Sequence, residues 1–296
     1  TPKASRSHMS LSIGIVGLPN VGKSTLFTAL TKRGGLAANY PFATIEPNIG
    51  IVDVPDERLK ALADIVHPGR IVPASVEFVD IAGLVKGAHE GEGLGNQFLA
   101  NIRETDAICE VVRYFTDPDV VHVVGKVDPA SDAETIRMEL VFADLATLEK
   151  ALPKAEKDAK GKKELQVKVD VIKRLMAWMN EGNRARTMEM TEDETAIVKD
   201  LHLLTMKPLF YVANIDEAMI GKDFAEIDGV KPIPICAKVE SELAELDEAL
   251  RQQGLRQVGR ALEPVGPWLR GHVRVARRHR RHAQAGRHVG QGRQAR

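Results

Sequence analysis

A lysine and a hydroxyl set behind a glycine-bounded loop can hold a polyphosphate, and Gly17-Leu18-Pro19-Asn20-Val21-Gly22-Lys23-Ser24-Thr25 offers that set. The stretch fits G-x-x-x-x-G-K-[ST] at every fixed position. Its flanks carry more weight than the string. Leu11 to Val16 is a short apolar run of the kind that forms a buried strand. Behind the loop, Leu26, Phe27 and Leu30 recur at helical spacing. Strand, loop and helix in that order turn the loop N–H groups and a helix N-terminus toward an anion, while Lys23 adds a point charge near β- and γ-oxygens. The Ser24 hydroxyl suits Mg²⁺. The pattern implies that Asn20, Val21, Gly22, Lys23, Ser24 and Thr25 bind a nucleoside triphosphate. A turn with a chance lysine is the bland alternative, and the flanks speak against it.

Other stretches could complete the site. Asn39 to Asn48 contains Pro41 and Pro47 and has no periodicity, so it reads as a loop where a nucleotide-sensing switch would lie. Within it Thr44 is the candidate ligand to Mg²⁺ and the γ-phosphate. Ala74 to Ala82 is an apolar strand run containing Asp80, with Gly83 just beyond. A carboxylate at a strand's carboxyl end can hold Mg²⁺ through water, and a glycine N–H can bond the γ-phosphate. Alone, Asp-x-x-Gly is usually a turn; downstream of Lys23 it reads as a further part of one site. The next residue is Leu84, where Ras-like GTPases carry the glutamine that orients the attacking water. Leucine has no hydrogen bond to offer, so hydrolysis should be slow or the water held otherwise. His122, flanked by apolar residues, is the catalytic candidate for that role, against the default of a packed histidine.

For the base, Asn214-Ile215-Asp216-Glu217 and the run through Cys236-Ala237-Lys238 stand where a Ras-like domain keeps Asn-Lys-x-Asp and Ser-Ala-Lys. Asn214 is in place, Ile215 replaces the lysine and Glu217 the aspartate. A guanine-reading carboxylate matches N1–H and the 2-amino group, so a longer, displaced Glu217 loosens that selection. ATP is then at least as plausible as GTP.

Positioning these residues requires a sheet with interleaved helices. Strands are expected at Leu11–Val16, Ile49–Val54, Ala74–Asp80, Ala107–Arg113, Val120–Gly125, Pro208–Ala213 and in Val230–Lys238, with a helix from Pro55 or Asp56. Between about Ala130 and Thr205 the pattern changes to charged segments with apolar residues at helical spacing. Met138, Val141, Phe142 and Leu145 form one stripe; Leu165, Val169, Ile172 and Leu175 form another. Pro153 and the lysine-rich Lys154–Lys163 stretch are expected to separate two antiparallel helices with coiled-coil packing. Those lysines are mainly a solvated face, with RNA contact the rival reading. The fold class is therefore α/β: a doubly wound P-loop NTPase domain over 10–130 and 205–250, with a helical insertion over 131–204.

Composition sets bounds. Lys plus Arg and Asp plus Glu balance at 41 each, yet residues from Arg251 onward are arginine-dense with Glu263 as the sole acid, so the remainder is acidic. Residues 251–296 keep no strand or helix pattern and read as a basic disordered tail or a shifted reading frame. Residues 1–9, in which Thr1 to His8 precede Met9, read as a cloning remnant. Two cysteines, Cys109 and Cys236, make no disulfide framework. With no membrane-length apolar run and no signal peptide, a soluble cytoplasmic protein is expected, with a monomer as the working state.

The motifs Gly17–Thr25, Tyr40–Asn48, Asp80–Gly87, Gly91–Phe98, Gly125–Pro129 and Asn214–Glu217 together resemble the YchF/Obg-like ATPase family, a branch of the translation-factor class of P-loop GTPases. The likeness covers about Leu11 to Leu250. It implies a Ras-like domain interrupted by a helical hairpin, a hydrophobic residue at the catalytic-glutamine position, ATP use despite GTPase ancestry, and association with ribosomes. It further implies Asn20 as a ligand to a monovalent cation, K⁺. Family members end in a β-grasp domain of TGS type, and nothing after Arg251 resembles one. The segment from Glu217 to Val230 is also short for the family.

Overall fold

The computed structural model describes residues 11–33, 47–81, 83, 94–117, 120 and 126–245. Thr44, Leu84, His122 and the tail 251–296 lie outside the described residues, as does most of the expected strand Val120–Gly125.

Six strands form one sheet: β1 (Leu11–Val16), β2 (Asn48–Asp53), β3 (Ser75–Asp80), β4 (Ala107–Arg113), β5 (Leu209–Asn214) and β6 (Ile233–Ile235). Their spatial order is β2-β3-β1-β4-β5-β6. β2 runs antiparallel to β3 at one edge, and all other pairs are parallel. Every residue of β4 is buried. That agrees with its largely apolar sequence, interrupted by Glu110 and ending in Arg113, because inner strands of a parallel sheet are covered on both faces. The order reverses at β1, with β3 on one side and β4 on the other. Ligands of open α/β sheets bind outside the strands' carboxyl ends at such a point, and β1 there runs straight into Gly17. This is the Ras-like, doubly wound P-loop NTPase fold expected from the sequence.

Helix α1 (Lys23–Arg33) leaves the phosphate loop and packs against β2 and α7 (Ala237–Glu245). Helix α2 (Glu57–Val66) is capped by Asp56, whose side chain accepts from the Arg58 N–H, yet it buries no residue. Its apolar face carries Leu62 at 56% and Ile65 at 74% exposure. Helix α3 (Leu94–Glu104) returns the chain to β4, burying Phe98, Leu99 and Ile102 in the sheet core.

Between β4 and β5 the chain leaves the sheet in α4 (Pro129–Ala159), α5 (Lys163–Asn180) and the short α6 (Glu192–Val198). Asp128 caps α4 by accepting from the Ser131 N–H at 3.2 Å, and Pro129 sits in the first turn, where its missing N–H costs nothing. Val141, Leu145 and Leu148 of α4 pack with Val169, Ile172 and Leu175 of α5 in a separate core. Ile136, Leu140 and Ala143, one helix face away, join the core of the sheet. A single helix thus serves both cores.

One expectation fails here. Pro153 does not separate the helices: α4 runs through it to Ala159, and the turn is Lys160–Lys162 around Gly161 at φ 76°. An internal proline costs about 3 kcal/mol. Beyond it, Ala155 and Ala159 are buried in the helical core, and Glu149, whose carbonyl loses its helical partner, is exposed to water. Phe142, expected on the buried stripe, is 38% exposed, because at about 100° per residue it falls at the edge of the face that carries Val141 and Leu145.

Candidate nucleotide site

The phosphate loop is shaped by what lies beneath it. At Gly17 a β-carbon would come 2.6 Å from the Val111 carbonyl oxygen of β4. At Gly22, with φ 93°, it would run into the Asn214 amide. Both positions therefore exclude a side chain on steric grounds. Asn20 is exposed at the crest of the loop in the left-handed region, φ 62°, while Val21 beside it is buried.

The Lys23 side chain is buried, and its Nζ donates to the Leu18 carbonyl at 2.8 Å. Burial pulls its pKa down to about 8, opposed by the negative charge of Asp80. Ser24 Oγ donates to Asp80 Oδ2 at 3.1 Å. The Asp80 carboxyl is held above its usual range by burial, with the Ser24 hydroxyl and the Lys23 charge acting the other way. Gly83 lies over the same point: a β-carbon on it would stand 3.1 Å from Lys23 Nζ and 3.2 Å from Pro19 N. Lys23, Ser24, Asp80 and Gly83, spread over some 60 residues of chain, are thus brought to one place. An ammonium, a hydroxyl and a carboxylate around a helix N-terminus can receive a phosphate chain with its counter-ion.

The donor set fits Mg²⁺. Ser24 and Asp80 present hard oxygens side by side, and Mg²⁺ is commonly held by one or two protein oxygens with phosphate and water completing its octahedron. Among the described residues no group of three or more His, Cys, Asp or Glu could hold a metal unaided. Thr25, next on α1, is exposed. Thr44 and His122, the remaining sequence candidates for metal and catalysis, fall outside the described residues.

At the base end, Asn214 acts as a staple. Its Nδ2 donates to the Val21 carbonyl at 2.9 Å, and its Oδ1 accepts from the Ala237 N–H at 3.1 Å. The phosphate loop, the end of β5 and the start of α7 are tied through this one buried side chain. Ile215 is buried, with its N–H donating to the Ile235 carbonyl at 3.0 Å. Cys236 is buried at the head of α7; burial raises its thiol pKa, while the Lys238 and Val239 backbone N–H groups act against that. Glu217 is exposed and opens the short turn Glu217–Met219.

Sequence reasoning missed some members of this end. Asp216 Oδ2 accepts from the Thr116 N–H at 3.0 Å and from its hydroxyl at 3.2 Å, joining the loops that leave β4 and β5. Tyr114 and Phe224 meet edge to face with centroids 5.0 Å apart, against the cluster of Ala213, Ile215 and Cys236. The signal lies in register rather than motif. Arg113 pairs with Asn214, so whatever follows each strand emerges side by side.

Residues 12–143 match the family described as 50S ribosome-binding GTPase. A protein of Bacillus subtilis named ribosome-binding ATPase YchF is 48% identical over 263 residues, covering 85% of this chain and 72% of that protein. Its namesake in Escherichia coli O157:H7 is 48% identical over 260 residues, with the same coverage of 85% and 72%. The solved structure of the Schizosaccharomyces pombe YchF GTPase superposes with a TM-score of 0.70 at 36% identity, covering 87% of this chain and 74% of that one. Identity of this extent, spread over both the phosphate-binding sheet and the helical insertion, places the chain in the YchF family.

Proposed function

We propose that the chain is a Mg²⁺-dependent nucleoside triphosphatase that cleaves the γ-phosphate of ATP, and that its nucleotide state governs binding to ribosomes. The observation that carries this is the convergence of Lys23, Ser24, Asp80 and Gly83 at the carboxyl end of β1. Lys23 and the loop N–H groups would neutralise and orient the phosphates. Ser24 and Asp80, with Thr44, would hold Mg²⁺, which supplies charge neutralisation at the β- and γ-oxygens when bound. The Gly83 N–H would sense the γ-phosphate. The loop-crest position of Asn20 supports its reading as a K⁺ ligand. With Leu84 in the water-orienting position, turnover would be slow unless a partner or His122 supplies the missing polar group.

Base choice rests on the exposed Glu217 and the apolar cluster behind Ile215. Ile215 stands where a lysine stem would cover the base, and an exposed carboxylate discriminates weakly because water can satisfy it when the match fails. Calorimetry with Mg²⁺-ATP and Mg²⁺-GTP tests both points. Binding of either triphosphate with phosphate release is expected; a silent titration at about millimolar ligand, near the weak limit of about 4 kcal/mol, would sink the reading. A tenfold or greater preference for GTP would instead leave a GTP-specific GTPase. The relatives named as ribosome-binding support the ribosome as partner. Release of phosphate measured with and without ribosomes separates a stimulated switch from a binding module whose hydrolysis is incidental.

A further inference from the structure

Glu110 lies in the middle of β4 with no exposed surface, and among the described residues neither carboxylate oxygen has a hydrogen-bond partner. A buried, unpaired carboxylate is among the most costly groups a core can contain. Its surroundings are charged on several sides. Tyr211 stands opposite it on β5 by register. Asp132 and Arg137 face it from α4, Arg184 from the turn after α5, and Asp228 from the turn before β6. The same field reaches Cys109, whose thiol pKa is raised by burial and by Glu110.

These neighbours are bonded to one another rather than to Glu110. Arg184 Nη2 donates to Tyr211 Oη at 2.6 Å and to Asp228 Oδ2 at 2.8 Å. Arg137 Nη1 donates to Asp228 Oδ1 at 2.7 Å, and Tyr211 Oη donates to Asp228 Oδ2 at 3.0 Å. Arg137 Nη2 also donates to Glu134 Oε1 at 3.2 Å, and Arg186 adds a third guanidinium in the field of Arg184, Tyr211 and Asp228, so Glu110 sits among charges of both signs with none of them bonded to it. One donor is left over as well: Arg137 Nε is buried and has no partner among the described residues. Unused acceptors and an unused donor thus share one cluster, at the place where the first turns of α4 and the Arg184 turn meet the sheet.

We propose that Glu110 is a proton-operated latch for this junction: neutral while α4 and Arg184 are seated as here, and, on ionising, drawing on Arg137 and loosening the Arg137–Asp228 bridge. The proton goes to solvent, and no co-reactant is needed. The direction agrees with the environment, since burial pushes the Glu110 carboxyl up to about 8, with Arg184 and Arg137 opposing and Asp228 and Asp132 reinforcing. For the sign, the folded chain holds a proton here that the unfolded chain releases near its ordinary pKa. The stabilisation is therefore complete below the unfolded value and is lost as pH rises through about 8.

The test compares the full chain with E110Q, which keeps shape and charge neutrality. Over about pH 6 to 7.5 the wild-type unfolding constant should climb about tenfold per pH unit more steeply than that of E110Q, the slope for one proton. Hydrogen exchange, corrected for its intrinsic pH dependence, should show the wild-type loosening confined to the start of α4, the Arg184 turn and the 227–230 turn. Equal slopes in the two proteins, or loosening elsewhere, would overturn the proposal. If E110Q does not fold, the infrared carbonyl band of a protonated carboxyl in the wild type decides. Persistence at pH 7 and loss near pH 8 supports the latch, and absence at pH 6 refutes it.

Discussion

Asp80 in β3 and Asp144 in α4 are both acids whose pKa burial raises, and the chain treats them in opposite ways. Asp144, in the helical insertion, accepts from the Leu204 N–H at 2.7 Å, the Thr205 N–H at 2.8 Å and the Thr205 hydroxyl at 2.7 Å. It closes the insertion, tying α4 to the segment that returns to β5. Among the described residues Asp80 takes one bond, from the Ser24 hydroxyl, that the phosphate site can redirect. Lys23, beside it, donates to one carbonyl among the described residues. Asp144 is saturated by the chain itself, and the groups at the carboxyl end of β1 retain bonding capacity for something not of the chain. The contrast separates a structural polar group from one kept for a ligand better than burial does.

The sharpest way to break this contrast is Asp144→Ala. It strands the Leu204 and Thr205 donors in the interior, and a loss of about 3 kcal/mol is expected in urea denaturation, the upper range for unsatisfied buried groups. Triphosphate affinity measured on the folded fraction should be unchanged. Lys23→Ala should do the reverse. Triphosphate affinity is expected to fall about 100-fold, roughly 2.7 kcal/mol, while stability should not fall, because a desolvated ammonium is removed. If Lys23→Ala destabilises as much as Asp144→Ala, the lysine is a structural group and the contrast fails.

What was legible in the sequence follows the same division. β4 is described over Ala107–Arg113 as its largely apolar run foretells, and the phosphate loop, Asp80 and Asn214 carry local patterns that chemistry alone demands. Long-range compensation was not legible. Whether Pro153 ends a helix depends on Ala155 and Ala159 finding α5, a tertiary gain that outweighs a local cost. Glu110 reads as one acid in an apolar strand, and its oddity exists only once Arg137, Arg184 and Asp228 arrive from elsewhere in the chain. The Thr116–Asp216 tie depends on register between β4 and β5, which no local pattern sets.

Asn214 belongs to both kinds, and Asn214→Ala should show it. The change leaves the Val21 carbonyl and the Ala237 N–H without their buried partner. A loss of about 1.5 kcal/mol in stability is expected. Affinity for di- and triphosphate should weaken together, since the loop is loosened as a whole.

Gly83→Ala has a smaller expected effect and discriminates more finely. The new methyl would sit 3.1 Å from Lys23 Nζ and 3.2 Å from Pro19 N. In the free protein the lysine tip can yield, but the Pro19 backbone N and Cα, 3.2 and 3.3 Å away, must shift by a few tenths of an ångström, so a small loss of stability is expected. A γ-phosphate held by Lys23 would compete for the space the methyl takes, whereas a diphosphate would not reach it. Triphosphate affinity should therefore fall about fivefold, roughly 1 kcal/mol, with diphosphate affinity unchanged. Equal loss for both would mean that Gly83 only shapes a turn. Loss for the triphosphate alone would identify it as the point where the chain distinguishes nucleotide before cleavage from nucleotide after it.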